Sequence, residues 1–309
     1  MSLDGKVAIV TGSGRGLGLA YARALAKEGA SVVVNDVDAT AAQDAANSIA
    51  ADGGKVATVT APVGPTATAD LLVSTAIEAF GRLDILVTNA GVLRDTVLWK
   101  MTDDDFDTVI NVHLRGTFTT VRAAATHMRE RGEGGRIICI GSPTGQRGTF
   151  GQTNYAAAKA GIVGMARTWA LELKKAGITV NTVVPVAATA MTATVPYFAA
   201  AVEAEANGEA MPSFFRHDLG FGTVDDAGGI VAYLASDAAA DITGQVIGIG
   251  GDRLQLWTHP EAAVTAYQDG GWTYEALNER FAQVVEGHLQ TVGEKFPPLP
   301  PEFERAREG

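Results

Sequence analysis

The sequence predicts an α/β fold built on a parallel, doubly wound sheet in three layers, and three observations predict it. Short apolar runs of strand length alternate with Ala-rich helical segments from Val7 to Ile249. Several runs, such as Val32-Val33-Val34 and Ile137-Ile138-Cys139-Ile140, are apolar throughout rather than at every second residue, the pattern of strands buried on both faces. Helical segments stop at glycines, among them Gly29, Gly53 and Gly81. Strands and helices alternating along one chain form a parallel sheet with right-handed crossovers.

The first strand is 7–10. The glycine segment 11–18 follows, then a helix over about 17–28 and a second strand, 31–35, with Asp36 at its carboxyl end. Strand, glycine loop, helix, strand and acid in this order make a βαβ dinucleotide unit of Rossmann-like type. Gly12, Gly16 and Gly18 are spaced as G-x-x-x-G-x-G, not as G-x-G-x-x-G. Glycines there allow a tight turn and close approach of backbone to a pyrophosphate, and the helix amino terminus supplies N–H donors. Asp36 suits an adenosine ribose and repels a 2′-phosphate, favouring NAD over NADP; Arg15, inside the loop, points the other way and weighs less, because an exposed arginine can turn into solvent.

The rhythm continues with helix 39–51, strand 56–59, helix 69–80 and strand 85–87, which runs into Thr88-Asn89-Ala90-Gly91. Residues 103–128 read as one long helix, interrupted in composition at Arg115-Gly116. Strand 136–140, helix 155–174, strand 178–184, helix 225–235 and strand 245–249 complete the set. Residues 187–221 carry no clear strand and read as a helical insertion after the sixth strand, with Met191, Tyr197, Phe198, Phe214 and Phe215 as an apolar lid over a substrate. The expected organisation is one domain, 1–251, with an extension, 252–309. The extension reads as helical pieces whose Trp257, Tyr267, Trp272 and Tyr274 pack on the same domain or on a partner subunit.

The chain has 309 residues, is 47% hydrophobic and carries a formal net charge of −11, which argues against nucleic acid or an anionic membrane as partner. Its one cysteine, Cys139, lies within a strand, so no internal disulfide can form, as in a reducing compartment. No apolar run reaches the length that spans a bilayer and no secretory leader is read at the start. The expectation is a cytoplasmic protein with no metal site.

The chemistry is concentrated between Ser142 and Lys159. Tyr155 and Lys159 stand four apart on one helical face, and Ser142 lies thirteen residues before the tyrosine at the exit of a buried strand. A phenol, an ammonium and a hydroxyl meeting at a strand end allow proton transfer to or from an alcohol. An unperturbed tyrosine has a pKa near 10, so work near pH 7 needs a shift of about three units, about 4 kcal/mol. Lys159 and an oxidised nicotinamide, both positive, would favour the phenolate. Ser142 could donate to the substrate oxygen.

The segment 11–18, Asn89-Ala90-Gly91, Asn111, Ser142 and Tyr155-x-x-x-Lys159, in this order, resemble the single-domain short-chain dehydrogenase/reductases over about residues 3–251. The resemblance implies Tyr155 as general acid/base and Lys159 as the group that binds the nicotinamide ribose and lowers the tyrosine pKa. It implies Ser142 as the residue that orients substrate, and Asn111 as the holder of a water linking Lys159 to solvent. It extends the cofactor contacts to Leu17, Val63, Asn89, Ala90, Gly91, Pro185 and Thr189, and it implies homo-oligomers, dimer or tetramer, paired through helices 103–128 and 155–174. Two positions depart from the family pattern: Pro62-Val63 replaces Asp-Val, and Pro185-Val186 replaces Pro-Gly. Gly91-Val-Leu-Arg-Asp95, His113-Leu-Arg-Gly116 and Phe150-Gly-Gln-Thr-Asn-Tyr155 look like the branch of the family that oxidises (3R)-hydroxyacyl-CoA thioesters with NAD within peroxisomal multifunctional enzymes. The insertion those enzymes carry after the second strand is missing here. The expected activity is hydride transfer between NAD and a secondary alcohol or ketone, a 3-hydroxyacyl thioester or a hydroxysteroid. The rivals are an NADPH-dependent 3-ketoacyl-carrier-protein reductase and a non-catalytic NAD(H) sensor.

Overall fold

Eight strands form one sheet in the computed structural model, which describes residues 1–188, 196–294 and 296–304. They are β1 (Val7–Val10), β2 (Ser31–Asp36), β3 (Val56–Thr60), β4 (Ile85–Thr88), β5 (Gly135–Ile140), β6 (Ile178–Pro185), β7 (Val246–Gly250) and β8 (Arg253–Trp257). Their spatial order is β3-β2-β1-β4-β5-β6-β7-β8. The first seven run parallel and β8 pairs antiparallel with β7.

Alternate residues of each strand feed two separate cores, as buried parallel strands require. Ala8, Val10, Val32, Val34, Ile85, Val87, Ile138 and Ile140 face the helices α1 (Gly16–Lys27), α2 (Ala39–Ala51) and α9 (Gly228–Ala235). Val7, Ile9, Val33, Leu86, Ile137 and Cys139 face α3 (Thr66–Phe80), α5 (Gly116–Arg131) and α7 (Thr153–Glu172) on the other side. The three layers predicted from the apolar runs are thus present. Between α5 and α7 in the chain lies a single helical turn and a half, α6 (Pro143–Arg147), capped by Ser142.

Two elements differ from the sequence expectation. The long helix expected over 103–128 is α4 (Asp103–Val109), a π-helical turn at Ile110–Arg115, and then α5. The π turn widens the helix by one residue per turn and so changes which side chains face inward. Residues 253–257, expected within helical pieces, form β8 instead: Gly251-Asp252 makes a two-residue hairpin loop, with Gly251 at φ 50°. In the insertion, α8 (Ala199–Ala206) and a π turn at Phe214–Asp218 hold an aromatic cluster in which Phe198 stacks on Phe221 at 4.3 Å. The chain's end returns to it. Leu299 is buried in that cluster, Phe303 packs against Phe215, and Tyr197 donates to the Pro297 carbonyl. Between these lies α10 (Tyr274–Val285), with no buried residue. Among the described residues no helix is long and apolar enough to cross a membrane.

Candidate active site

Strand order reverses between β1 and β4, and a crevice opens there at the carboxyl ends of the strands, where open α/β sheets take ligands. The cleft is about 1580 Å³. Its cofactor half is shaped by absent side chains. A Cβ on Gly18 would stand 2.1 Å from the Gly12 carbonyl oxygen, and one on Gly12 would stand 2.6 Å from Ala90 Cα. Gly12 and Gly16 hold positive φ, 61° and 56°, which only glycine adopts freely. α1 opens at Gly16 with no side-chain cap from Arg15 and no acid in its first turn, which leaves its amide N–H groups free for an anion. Asn89 fixes the loop by donating to the carbonyls of Thr11 and Gly12 at 3.1 and 2.9 Å.

Asp36 accepts from the amides of Gly14 and Asp38, each at 3.1 Å, and its carboxylate lines the cleft. Arg15 pairs with Asp38. Gly12, Arg15, Gly16, Leu17, Gly18, Asp36, Val63, Asn89, Ala90, Gly91, Tyr155, Lys159 and Pro185 all line the cleft. Thr189 lies outside the described residues. A glycine cradle, an uncapped helix amino terminus and a carboxylate at the end of β2 together fit a dinucleotide.

The other half holds Ser142, Tyr155 and Lys159. The Ser142 hydroxyl accepts from the Thr144 amide at 3.2 Å, which leaves its proton to be donated, and it stands near enough to the Tyr155 phenol to favour the phenolate. Lys159 is buried, donates to the Ile140 carbonyl at 2.7 Å, and lies 5.6 Å from the centre of the Tyr155 ring. Burial lowers its pKa to about 8. Tyr155 shifts upward, against the sequence expectation. Burial of the phenol dominates, the nearby Ser142 hydroxyl opposes it, and the charge of Asp95 adds to it. The Cys139 thiol is pushed up to about 12 by burial and is an inert part of the core.

Asn111 does not join this group. It is exposed on the outside of the π turn and does not line the cleft. His113, two residues on, takes the inward position: it is buried, lines the cleft, and meets the Tyr155 ring edge-on at 5.1 Å. Sequence reading also passed over Asn154, which is fully buried. Its amide donates to the carbonyls of Arg94 and Asp105 while its oxygen accepts from the Tyr155 amide, tying the loop after β4 and α4 to the first turn of α7. Gln152 bonds Asp95 at 2.7 Å. Phe198, Phe221 and Phe296 line the cleft's apolar side, with Arg147 and Arg253. Asn154 and Gln152 stand beside Tyr155 in the sequence, which was the available signal; Phe296 had none.

A family model described as short chain dehydrogenase matches residues 6–197. The chain is 42% identical to hydroxyacyl-CoA dehydrogenase ChsB1 of Mycobacterium tuberculosis over 280 residues, 87% of this chain and 84% of that protein. It is 43% identical over 204 residues to peroxisomal multifunctional enzyme type 2 of Mus musculus, 63% of this chain and 27% of that longer protein. A crystal structure of a short chain dehydrogenase from Mycobacterium avium superposes with a TM-score of 0.78 at 34% identity, covering 97% of this chain and 99% of the other.

Proposed function

From the premise that this chain belongs to the short-chain dehydrogenase family, we propose that it is an NAD-dependent oxidoreductase acting on the secondary alcohol of a 3-hydroxyacyl thioester. Oxidoreductase chemistry follows from the family. The observation that carries the choice of acid and base is the buried Lys159 ammonium 5.6 Å from the centre of the Tyr155 ring, with Ser142 lining the same cleft.

A bound nicotinamide dinucleotide supplies the hydride acceptor, and in its oxidised form a positive charge that favours the tyrosine's phenolate. Tyr155 Oη takes the alcohol proton in oxidation and returns it in reduction. Ser142 holds the substrate oxygen with the proton left free by its bond to Thr144. Lys159, anchored on Ile140, puts a cation beneath the phenol where desolvation makes it effective. The glycine loop and the amides opening α1 hold the pyrophosphate, and Asp36 the adenosine ribose. NAD is preferred because Asp36 faces the cleft while Arg15 is engaged by Asp38.

The thioester is favoured over a free steroid by the names of the relatives and by a cleft that joins an aromatic wall to Arg147 and Arg253, suited to an acyl chain ending in phosphates. We infer also that copies pair through α5 and α7. Turnover of a panel of 3-hydroxyacyl-CoA esters and hydroxysteroids with NAD and with NADP tests the substrate and cofactor together. Tyr155→Phe is expected to lose at least about a hundredfold in kcat with NADH binding retained; a variant that keeps turning over would overturn the assignment.

A further inference from the structure

The last strand of the sheet has its polarity reversed. Its residues alternate, and those with polar groups face inward: Arg253, Gln255 and Trp257 line the cleft, while Leu254 and Leu256 are exposed on the outside. A strand that only closed a core would turn its leucines to the protein and its arginine and glutamine to water. The hairpin at Gly251-Asp252 lays β8 antiparallel beside β7, with Arg253 opposite Gly250, Gln255 opposite Gly248 and Trp257 opposite Val246. Neighbouring strands stand about 4.8 Å apart, so β8 lies three strands, about 14 Å, from β5, whose exit carries Ser142.

The hydrogen-bonding groups of that inner face are largely unused. The Trp257 indole nitrogen is buried without a partner, an arrangement native structures avoid. Among the described residues the Gln255 side chain makes no hydrogen bond, although its carboxamide offers two donors and an acceptor. Both stand over Gly248: a Cβ there would lie 3.2 Å from Gln255 Oε1 and 3.2 Å from Trp257 Nε1, so the missing side chain lets the two groups sit close together. Arg253 donates to the Asp218 carbonyl at 3.2 Å and forms no ion pair among the described residues. Glu294, also in the cleft wall, acts on it by charge alone. Arg147 is already engaged, because its guanidinium donates to the carbonyls of Gly293 and Thr291 at 3.0 and 3.2 Å.

We propose that β8 is a substrate-recognition strand, on which Gln255 binds a secondary amide in the arm that carries the substrate's thioester. The Gln255 carboxamide N–H donates to the amide carbonyl, and its oxygen accepts from the amide N–H. A carbonyl oxygen has two lone pairs, and the second accepts the Trp257 indole N–H. Trp257 is thus a positioning residue, which fixes the way the carboxamide faces and gains the partner it lacks. A group with one donor and one acceptor matches a carboxamide in both directions, as a carboxylate or a hydrocarbon does not. Arg253 stands two residues, about 7 Å, along the same face, placed for the charged end of that arm. The proposal deepens the thioester reading and rests on it for the identity of the arm.

Two thioesters of one 3-hydroxy acid test it in turnover: the pantetheine thioester, whose arm has two secondary amides, and the ethyl thioester, which has none. The quantity read is the ratio of their kcat/KM values. Gln255→Leu is expected to lower that ratio about tenfold, the size of two neutral hydrogen bonds. The loss should lie in KM for the pantetheine thioester, because the amide is remote from the reacting carbon. W257F, which keeps an aromatic ring and loses the N–H, is expected to lower the ratio in the same direction and by less. An unchanged ratio in Q255L, whether both thioesters fall alike or neither falls, would overturn the proposal. A second measurement needs no turnover. In nitrogen-15 NMR of the tryptophan-labelled full chain with NADH, the Trp257 indole signal, assigned by its loss in W257F, is expected to move as free pantetheine is added, and to stay in place in Q255L. Turnover of hydroxysteroids and of no thioester would end the thioester reading, and the titration would then decide the subsite by itself: a Trp257 signal that does not respond to pantetheine overturns it.

Discussion

Tyr155 stands where burial and the Ser142 hydroxyl act on its acidity in opposite directions, and burial is the larger. The Tyr–Lys spacing was readable because it is local chemistry on one helical face. The direction of the pKa was not, because desolvation depends on what the rest of the chain packs around the phenol. Asp36 was legible for the same local reason, and the proposal that it selects the cofactor has a direct check. Asp36→Asn keeps acceptors for the amides of Gly14 and Asp38 but removes the charge, so the ratio of kcat/KM for NADP over NAD should rise about tenfold or more. An unchanged ratio in that assay would leave Asp36 as a loop brace only. His113 carries a pH prediction whose sign follows from its lowered pKa of about 3. Between about pH 6.5, the unperturbed value, and pH 3 the unfolded chain binds a proton that the folded chain refuses. Its contribution to stability is therefore present above that window and is lost as pH falls, by about 1.4 kcal/mol per pH unit. Denaturant titrations at a series of pH values should show H113F less acid-sensitive than the native chain by this slope.

Helices and strands whose residues repeat regularly were easy to place; the two irregular elements were not. In a regular α-helix Asn111 and His113 lie about 200° apart, on opposite faces, so placing the first inward necessarily placed the second outward. Asn111 was drawn from the family resemblance and not from periodicity; the π turn leaves it exposed and buries His113. β8 was hidden differently: Arg253 to Trp257 alternates, but Leu254 and Leu256 are on the exposed side, 66% and 67% exposed, so the apolar residues gave no inward face. The short α6 shows how an element sets the site. A Cβ on Gly145 would stand 2.7 Å from the Cβ and carbonyl carbon of Lys159, so α6 rests directly on α7 and carries Ser142 with it. Gly145→Ala should cost about 1–3 kcal/mol, seen as a lower Tm, and should lower kcat by moving Ser142 and Lys159 apart. If Tm falls while kcat holds, the two helices are not what sets the Ser142–Tyr155 geometry.

At the scale of the molecule, two cores on opposite faces of one sheet fix the cleft between β1 and β4, and a third, aromatic core closes its far side. Helix α7 spans these roles: its inner face carries the site while Leu171 is 78% exposed, and Gly164 has open space around its missing Cβ. If copies pair along α5 and α7, Gly164→Arg should yield a smaller species by mass photometry with the site intact; in a protein that is monomeric there, the same change leaves mass unaltered. The third core is built from distant stretches of chain, which is why its closure by the C-terminal segment could not be read from the aromatic count alone. Phe296 stacks on Tyr197 at 4.9 Å, Leu299 is buried, and Phe303 meets Phe215 at 5.2 Å. A chain ending at Gly287 removes all three from the cluster and leaves the glycine loop, Asp36 and the two large cores untouched. Losing that much apolar contact should lower Tm by several degrees and raise KM for a long-chain substrate about tenfold or more, with NADH affinity unchanged. Those two affinities separate because the segment wraps the substrate end of the cleft and not the cofactor end. Equal loss of both would mean that the segment supports the whole sheet rather than the wall of one chamber.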